Sequence, residues 1–438
     1  MLKKSILKFL LLFSGMLLVN MQSHAIEIII DKGVENPIPV AIVPFGWSQA
    51  SATAPVDVAG IISSDLTRSA RFAAMEPQDM PQQPSDFGDV NFSDWRLLGM
   101  ENLVIGRLNL NADGQYDMEF RLLDVYKGKQ IAGFRIPSSK ENLRRTAHEI
   151  SDIIYEKLIG IRGAFATRIV YVTVNKNPDG SKTHSLIIAD ADGYNPQVLL
   201  ESNEPLLSPS WSPDGRKLAY VSFEGKSSAI YIQDILSGQR QLVAANPGIN
   251  SAPAWSPDGS QLALTLSRDG NPEIYILHIS SKVLRRITNN AAIDTEPTWS
   301  SDGKTIAFTS DRGGSPQIYT MKIDGGQPRR ISFTGNYNAA PEFSPDNKQL
   351  AVVHGDSGTY RIGLLDPATG DVVPLTDSRM DESPSFAPNG HMIIYTTTGA
   401  RGTALAAISV DGSVHQRLAL QDGEVREPVW GPFLTRQR

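Results

Sequence analysis

Two serines sit in glycine-bearing contexts of the kind hydrolases use. Gly355-Asp-Ser-Gly358 has the form of a serine-protease nucleophile loop, and Gly46-Trp-Ser48-Gln-Ala50 approximates a nucleophile elbow. Neither context is complete. The first falls between two predicted strands, where Gly-Asp-Ser-Gly makes a turn; the second has Ala in place of the last Gly, and no stretch of hydrolase size accompanies it. The seven histidines (24, 148, 184, 278, 354, 391 and 415) show no H-x-x-x-H or comparable metal spacing. There is no cysteine, which excludes a thiol nucleophile, thiolate zinc, iron–sulfur clusters and a disulfide scaffold. No glycine-rich phosphate loop is present. One hard-cation option survives: Asp294, Glu296 and Asp381 carry the oxygen donors that calcium takes. No catalytic residue and no cofactor is therefore expected, and the chain reads as a non-enzyme.

Those carboxylates belong to a repeat, and the repeat defines the architecture. Pro209-Ser-Trp211-Ser-Pro-Asp-Gly215 recurs as Pro253 to Gly259, Pro297 to Gly303, Pro341 to Asn347 and Pro384 to Gly390, then as Pro428-Val-Trp430-Gly-Pro432. The aromatic positions step by 44, 44, 44, 43 and 44 residues. Pro presets φ for a turn and Gly supplies positive φ, so the strand ending at each aromatic must reverse. Alternating runs follow (Lys217 to Val221, Thr305 to Phe308), then a strand bearing Ile-Tyr (230–231, 274–275, 318–319), then a fourth near Arg240-Gln-Leu242, Arg286-Ile287 and Arg330-Ile331. Four strands per 44 residues is the period of a β-propeller blade, and helical periodicity is missing. Arg168-Ile-Val-Tyr171 resembles the second strand of a blade with no aromatic first strand before it, whereas Trp430 lacks downstream strands. The two fragments predict one composite blade, six in all, closed by the C-terminal strand; an open array would leave two β-edges exposed.

The segment before the ring differs in pattern. The first 25 residues have Lys3, Lys4 and Lys8, an apolar Phe9 to Val19, and Ser23-His24-Ala25, the pattern of an export signal cleaved after Ala25. The apolar run is too short for a membrane anchor. Its removal leaves 38 basic and 47 acidic residues, a charge of −9 where the whole chain carries −6, and this argues against nucleic acid as a partner. Residues 26–162 read as a small α/β domain with an extended segment over 26–36, and 163–438 as the propeller. Ile38 to Phe45 is a predicted strand, Asp57 to Phe72 a helix with Val58, Ile61, Ile62, Leu66 and Ala70 on one face, and Glu76 to Asp94 a loop. Leu103 to Ile105 and Tyr116 to Val125 are strands around an Asn111-Ala-Asp-Gly114 turn, with another over Gln130 to Ile136. Ser138-Ser-Lys-Glu141 reads as a capping box for a helix whose face holds Leu143, Ala147, Ile150, Ile154 and Leu158.

With no enzyme to find, function is sought in surfaces. Residues shared by all blades are framework, and those that vary at equivalent positions are free for recognition. The three residues before each motif Pro begin the innermost strand at one mouth of the channel: 206–208, 250–252, 294–296, 338–340, 381–383 and 425–427. Asp294, Glu296, Asp381, Glu382 and Glu427 face a single Arg426 there, with Asn250 and Asn338 adding amides. They are either solvated strand ends or a mixed donor and acceptor surface for a protein partner. Ile26-Glu27-Ile28-Ile29-Ile30 is an apolar extended segment, suited to strand addition on a partner or to a plain edge strand of its own domain.

The leader, Ile26-Glu-Ile-Ile-Ile-Asp-Lys-Gly33, Ile38-Pro-Val-Ala-Ile-Val-Pro-Phe45 and the Trp-Ser-Pro-Asp-Gly repeats, in this order along the whole chain, resemble the TolB family of Gram-negative envelopes. The resemblance implies a monomeric periplasmic component of the Tol–Pal system that binds the lipoprotein Pal and the inner-membrane protein TolA. It also implies support of outer-membrane integrity and of constriction at cell division, and a route for colicin entry. Carried over by motif, the Pal surface falls on Ala252, Thr295 and Glu296 with neighbours Asn250 and Asp294, and the TolA segment on residues 26–30. Ile249 departs from the family, where a polar His is expected. The competing classes are a propeller peptidase or metal-dependent hydrolase with its site in the acidic mouth, and a glycan-binding propeller, for which the six three-residue rows hold no aromatic.

Overall fold

The computed structural model describes residues 27–29, 36–49, 53–399, 402–418 and 423–434. The expected leader, together with Ile26 and Ile30, lies outside them. In the first part of the chain, strands β2 (Ile38–Ile42), β3 (Gly46–Trp47), β4 (Phe72–Ala74), β5 (Asn102–Leu110), β6 (Tyr116–Asp124) and β7 (Lys129–Ser138) form one sheet ordered β4-β2-β5-β6-β7. Val40 to Val43 are at most 2% exposed, because this central parallel strand is covered on both faces. Helices α1 (Val58–Arg68) and α3 (Leu143–Ile159) pack on Val40, Ile42 and Val104, while Trp95 of α2 (Phe92–Leu97) packs on Ala41, Val43 and Leu103.

Four local expectations need correction. The first strand, expected to end at Pro44, stops two residues earlier at Ile42; Pro44 cannot donate to the ladder, and pairing resumes as β3 on the same neighbour, β5. Helix α1 ends at Arg68, and Ala70 turns left-handed at φ 51° to feed β4. The Glu76–Asp94 stretch is not all loop: it holds two 3₁₀ turns and the start of α2, capped by the Asn91 side chain. The capping box does not form. Ser138 finishes β7, a 3₁₀ turn covers Lys140–Asn142, and α3 starts from Asn142 with no side-chain cap.

Beyond α3 the chain closes a six-bladed propeller. Blade one is assembled from both ends: Glu424–Trp430 is innermost, paired antiparallel with Arg168–Lys176, followed outward by Lys182–Asp190 and Gln197–Ser202. Blades two to six begin at Leu206, Asn250, Asp294, Tyr337 and Asp381, each four strands in simple meander order. The repeated residues explain the spacing. In each Ser-Pro-Asp-Gly turn the serine hydroxyl bonds the Asp carboxylate and accepts from the backbone of the next strand, as Ser256 does with Asp258 (2.6 Å) and Gln261 (2.9 Å). Each Trp indole donates to the carbonyl of the preceding blade: Trp211 to Val429 (3.3 Å), Trp255 to Ser210 (3.2 Å), Trp299 to Ala254 (3.1 Å). Trp430 donates to Thr167 Oγ1 at 2.8 Å, which fastens the closing strand.

The α/β domain rests on the turn-bearing face of the ring, away from the proposed mouth. Asn389 of the blade-six turn donates to the Arg162 carbonyl (3.2 Å), Tyr155 lies 3.3 Å from His391, and Arg71 lies 3.4 Å from Asp411.

Candidate functional site

The innermost strands share a backbone device that decides which side chains reach the channel. In all six the third residue before the aromatic-bearing half of the motif is left-handed: Ser208 (φ 49°), Ala252 (46°), Glu296 (54°), Ala340 (49°), Ser383 (54°) and Glu427 (49°). Register with the second strand shifts at the same place in every blade, a β-bulge. The bulge breaks simple alternation. The first residue of each row turns into the blade interior, and the third lines the channel.

Four expected mouth contacts are therefore corrected. Asn250, Asp294, Asn338 and Asp381 are all 0% exposed. Asn250 ties the loop before it, bonding Asn246, Gly248 and Ser228 backbone atoms. Arg312 Nη2 donates to both Asp294 carboxylate oxygens, at 2.9 and 2.7 Å, while its Nε donates to Ser310. Asn338 bonds Gln317, the Thr334 carbonyl and His354. Both carboxylate oxygens of Asp381 are buried with no hydrogen-bond partner among the described residues. The proposed calcium triad does not assemble, because Asp294 is committed to Arg312 and the three residues are not among the groups whose ligand atoms converge.

The remaining candidates do line the mouth. Ala252, Glu296, Glu382, Arg426 and Glu427 border a central cavity of about 970 Å³, with Thr295 half-buried beside Thr265. Glu382 and Arg426 are exposed, and Arg426 pairs with Glu424. Glu296 and Glu427 also serve the ring. Glu296 accepts from Thr309 (2.7 Å) and from the bulge N–H of Ala340 one blade on (2.8 Å), and Glu427 accepts from the bulge N–H of Ser208. Burial and the nearby Glu382 and Glu296 raise the Glu427 carboxyl, against the Ser208 N–H and Arg426 that lower it.

Two features of the channel escaped the sequence reading. Glu342 stands deeper, accepting from Phe386 N (3.2 Å) and Ser385 Oγ (3.3 Å) of blade six, and burial pushes its carboxyl up to about 8. Its signal was available: the residue between Pro and the aromatic is Ser, Ala, Thr, Ser or Val in the other five motifs. The second feature is an apolar rim. Ile249, Ile293 and Met380, each directly before a three-residue row, are 46%, 47% and 40% exposed. Tyr337 and Tyr360, rings 5.2 Å apart and edge-to-face, line the cavity beside them. The mouth thus combines exposed aliphatic and aromatic groups with carboxylates and one guanidinium, the make-up of a protein-recognition surface.

The hydrolase lures resolve as structure. Asp356 pairs with Thr359, and Ser357 (φ 52°) and Gly358 (φ 82°) form the two-residue left-handed turn between them. Ser48 follows β3 and accepts from Leu110 N at 3.2 Å; Ala50 lies outside the described residues. At the N-terminus, β1 (Glu27–Ile29) pairs antiparallel with His415–Arg417, the outer strand of blade six, with Glu27 opposite Arg417 and Ile29 opposite His415. It is an edge strand of the propeller, and the alternative of an edge strand on its own domain is set aside.

Comparison with known proteins agrees with this geometry. Residues 26–131 match the family model described as TolB amino-terminal domain, and residues 155–434 match the TolB beta propeller domain. The chain is 62% identical over 411 residues to the Tol-Pal system protein TolB of Thioalkalivibrio sulfidiphilus, covering 94% of each. It is 61% identical over 404 residues to that of Nitrosococcus oceani, covering 92% of each. The crystal structure of TolB from Acinetobacter baumannii superposes with a TM-score of 0.85 at 39% identity, over 93% of this chain and 100% of that one. These relatives are named for a system protein and not for a catalyst, so the hydrolase alternatives fall. The chain belongs to the TolB family of Tol–Pal system proteins.

Proposed function

We propose that the chain works in the periplasm as a two-site adaptor of the Tol–Pal system, once residues 1–25 are removed. Residues 26–162 and 163–438 are its two working parts. The channel mouth receives Pal, and the mature N-terminus engages TolA. The observation that carries the first assignment is the mouth itself: Ile249, Ile293 and Met380 around Glu296, Glu382, Glu427 and Arg426. An apolar rim gives contact area, and the carboxylates select a partner segment rich in donors. Ala252 and Thr295 supply small neighbours that leave the cavity open. Asn250, Asp294, Asn338 and Asp381 act one step back, by holding the loops and strands that shape the mouth.

The second assignment is supported by the length of the β1 ladder. Three residue pairs hold the segment to blade six through its backbone, a short pairing that strand addition to another protein's edge can replace. Such a two-site adaptor supports outer-membrane integrity and constriction at division, and colicins use the same surfaces for entry. Pull-down of Pal by Glu296→Arg tests the mouth: capture at wild-type strength rejects it. Deletion of residues 26–35 tests the second site, which an unchanged TolA affinity would reject.

A further inference from the structure

His148 lies on α3 with 2% of its surface exposed, and neither the channel nor the N-terminal strand uses it. Its Nδ1 is 2.7 Å from Asp65 Oδ2 of α1, and its Nε2 is 3.8 Å from Asp192 Oδ2, in the turn after the third strand of blade one, Lys182–Asp190. Asp65 and Asp192 are 1% and 9% exposed. The ring therefore sits between a carboxylate of the α/β domain and a carboxylate of the propeller. Arg68 of α1 is 3.0 Å from the other oxygen of Asp65. Arg144 of α3 pairs with Asp192, approaches Asp190 at 3.4 Å and stacks 3.9 Å from the Tyr194 ring centre. Asp152, further along α3, accepts at 2.7 Å from the Phe165 N–H of the linker, residues 160–167, that joins α3 to blade one.

The geometry decides the state of the ring. Arg68 and Arg144 pair with Asp65 and Asp192, and Asp190 faces Arg144 and Arg168. The buried ring thus lies between two buried carboxylates, one at each nitrogen, and a proton on both nitrogens is favoured: Nδ1–H bonds Asp65, and Nε2, which has no hydrogen-bond partner among the described residues, faces Asp192. Donor atoms of Asp65, His148 and Asp192 also converge closely enough to suggest a metal. A dication is disfavoured, because Arg68 and Arg144 already occupy the carboxylates and would face it directly.

We propose that protonated His148 is an ionic clasp between the α/β domain and blade one, and that raising the pH opens it and loosens the two bodies. Burial alone would lower the pKa of the ring; the facing Asp65 and then Asp192 outweigh this and hold it above the ordinary value. A raised pKa means the stabilisation is complete below about 6.5, the unfolded value, and is lost as pH climbs through the folded one. Contacts to blade six at Tyr155–His391 and Arg71–Asp411 remain on the far side, so the domain pivots there.

Nitrogen NMR of ¹⁵N-histidine in the full chain reads the ring directly. Both His148 nitrogens are expected to stay protonated above pH 6.5, and Asp192→Asn to move the midpoint down by about one pH unit. In parallel, tryptic cleavage at Arg162 in the linker, normalised to an unstructured peptide, is expected to accelerate roughly tenfold across that midpoint, a 1.4 kcal/mol change. His148→Gln removes the step; if that variant does not fold, Asp192→Asn shifts it to lower pH instead. A ring that is neutral at pH 6.5, a cleavage ratio flat across the midpoint, or zinc binding at the ring nitrogens would each overturn the clasp.

Discussion

Removing the Arg312 side chain separates a structural carboxylate from a recognition one. Asp294 is fully buried, and its charge is met by Arg312 Nη2, 2.9 and 2.7 Å from its two oxygens; Arg312 itself is 16% exposed. Burial raises the Asp294 carboxyl, and Ser310 and Arg312 work against it. Arg312→Met leaves that carboxylate uncompensated, a change that costs about 3–5 kcal/mol when one partner of a buried pair is lost. Lost stacking over Phe308 and Tyr319, 5.6 and 5.1 Å from the guanidinium carbon, adds about 0.5–1 kcal/mol. At about 2–4 °C per kcal/mol for a unit of this size, the melting temperature falls by roughly 7–24 °C. Differential scanning calorimetry of the wild type, Arg312→Met, Asp294→Leu and the double variant completes a double-mutant cycle. The double variant should recover most of the loss, since two apolar groups can replace a buried pair. A single variant within about 1 kcal/mol of wild type, or a double one as unstable as the single, would mean that the Asp294 charge does not depend on Arg312.

Other perturbations probe different layers. Glu342, whose folded pKa of about 8 exceeds the unfolded 4.5, makes stability fall as pH rises between those values; Glu342→Gln should flatten a slope of up to about 1.4 kcal/mol per pH unit in denaturant melts. Trp430→Ala removes the indole that bonds Thr167 and should cost about 3 kcal/mol, read by urea unfolding; a loss below about 1 kcal/mol would show that the closing strand is held by its ladder alone. Ala252→Gly frees a left-handed residue from its Cβ and should stabilise by about 0.5 kcal/mol, whereas destabilisation would mean that the bulge is not strained.

The ring was legible because its signal is local and repeated. Trp, Pro and Gly at 44-residue steps encode a strand end, a turn and a positive φ, and the two unmatched fragments predict the composite first blade. The orientation of the mouth residues was not legible. None of Ser208, Ala252, Glu296, Ala340, Ser383 and Glu427 is a glycine or asparagine, so nothing in their types announces a left-handed bulge. Without the bulge, Asp294 and Glu296 read as equals; with it, one is interior and the other lines the channel. Ile249 stood out only as a departure from the family, and the rim it forms with Ile293 and Met380 was missed because all three lie one residue outside the rows compared. The Asp65–His148–Asp192 group joins three elements far apart in sequence, and no spacing rule finds it.

Glu382 offers the cleanest probe of recognition at the mouth, because it is exposed and borders the cavity without bonding another blade. Calorimetric titration of Pal into the wild type and Glu382→Arg, with melting temperatures measured on both, isolates binding from folding. The melting temperature should not change, and the dissociation constant should rise at least about tenfold, a loss of about 1.4 kcal/mol. Equal affinity in the two proteins would contradict recognition at the mouth.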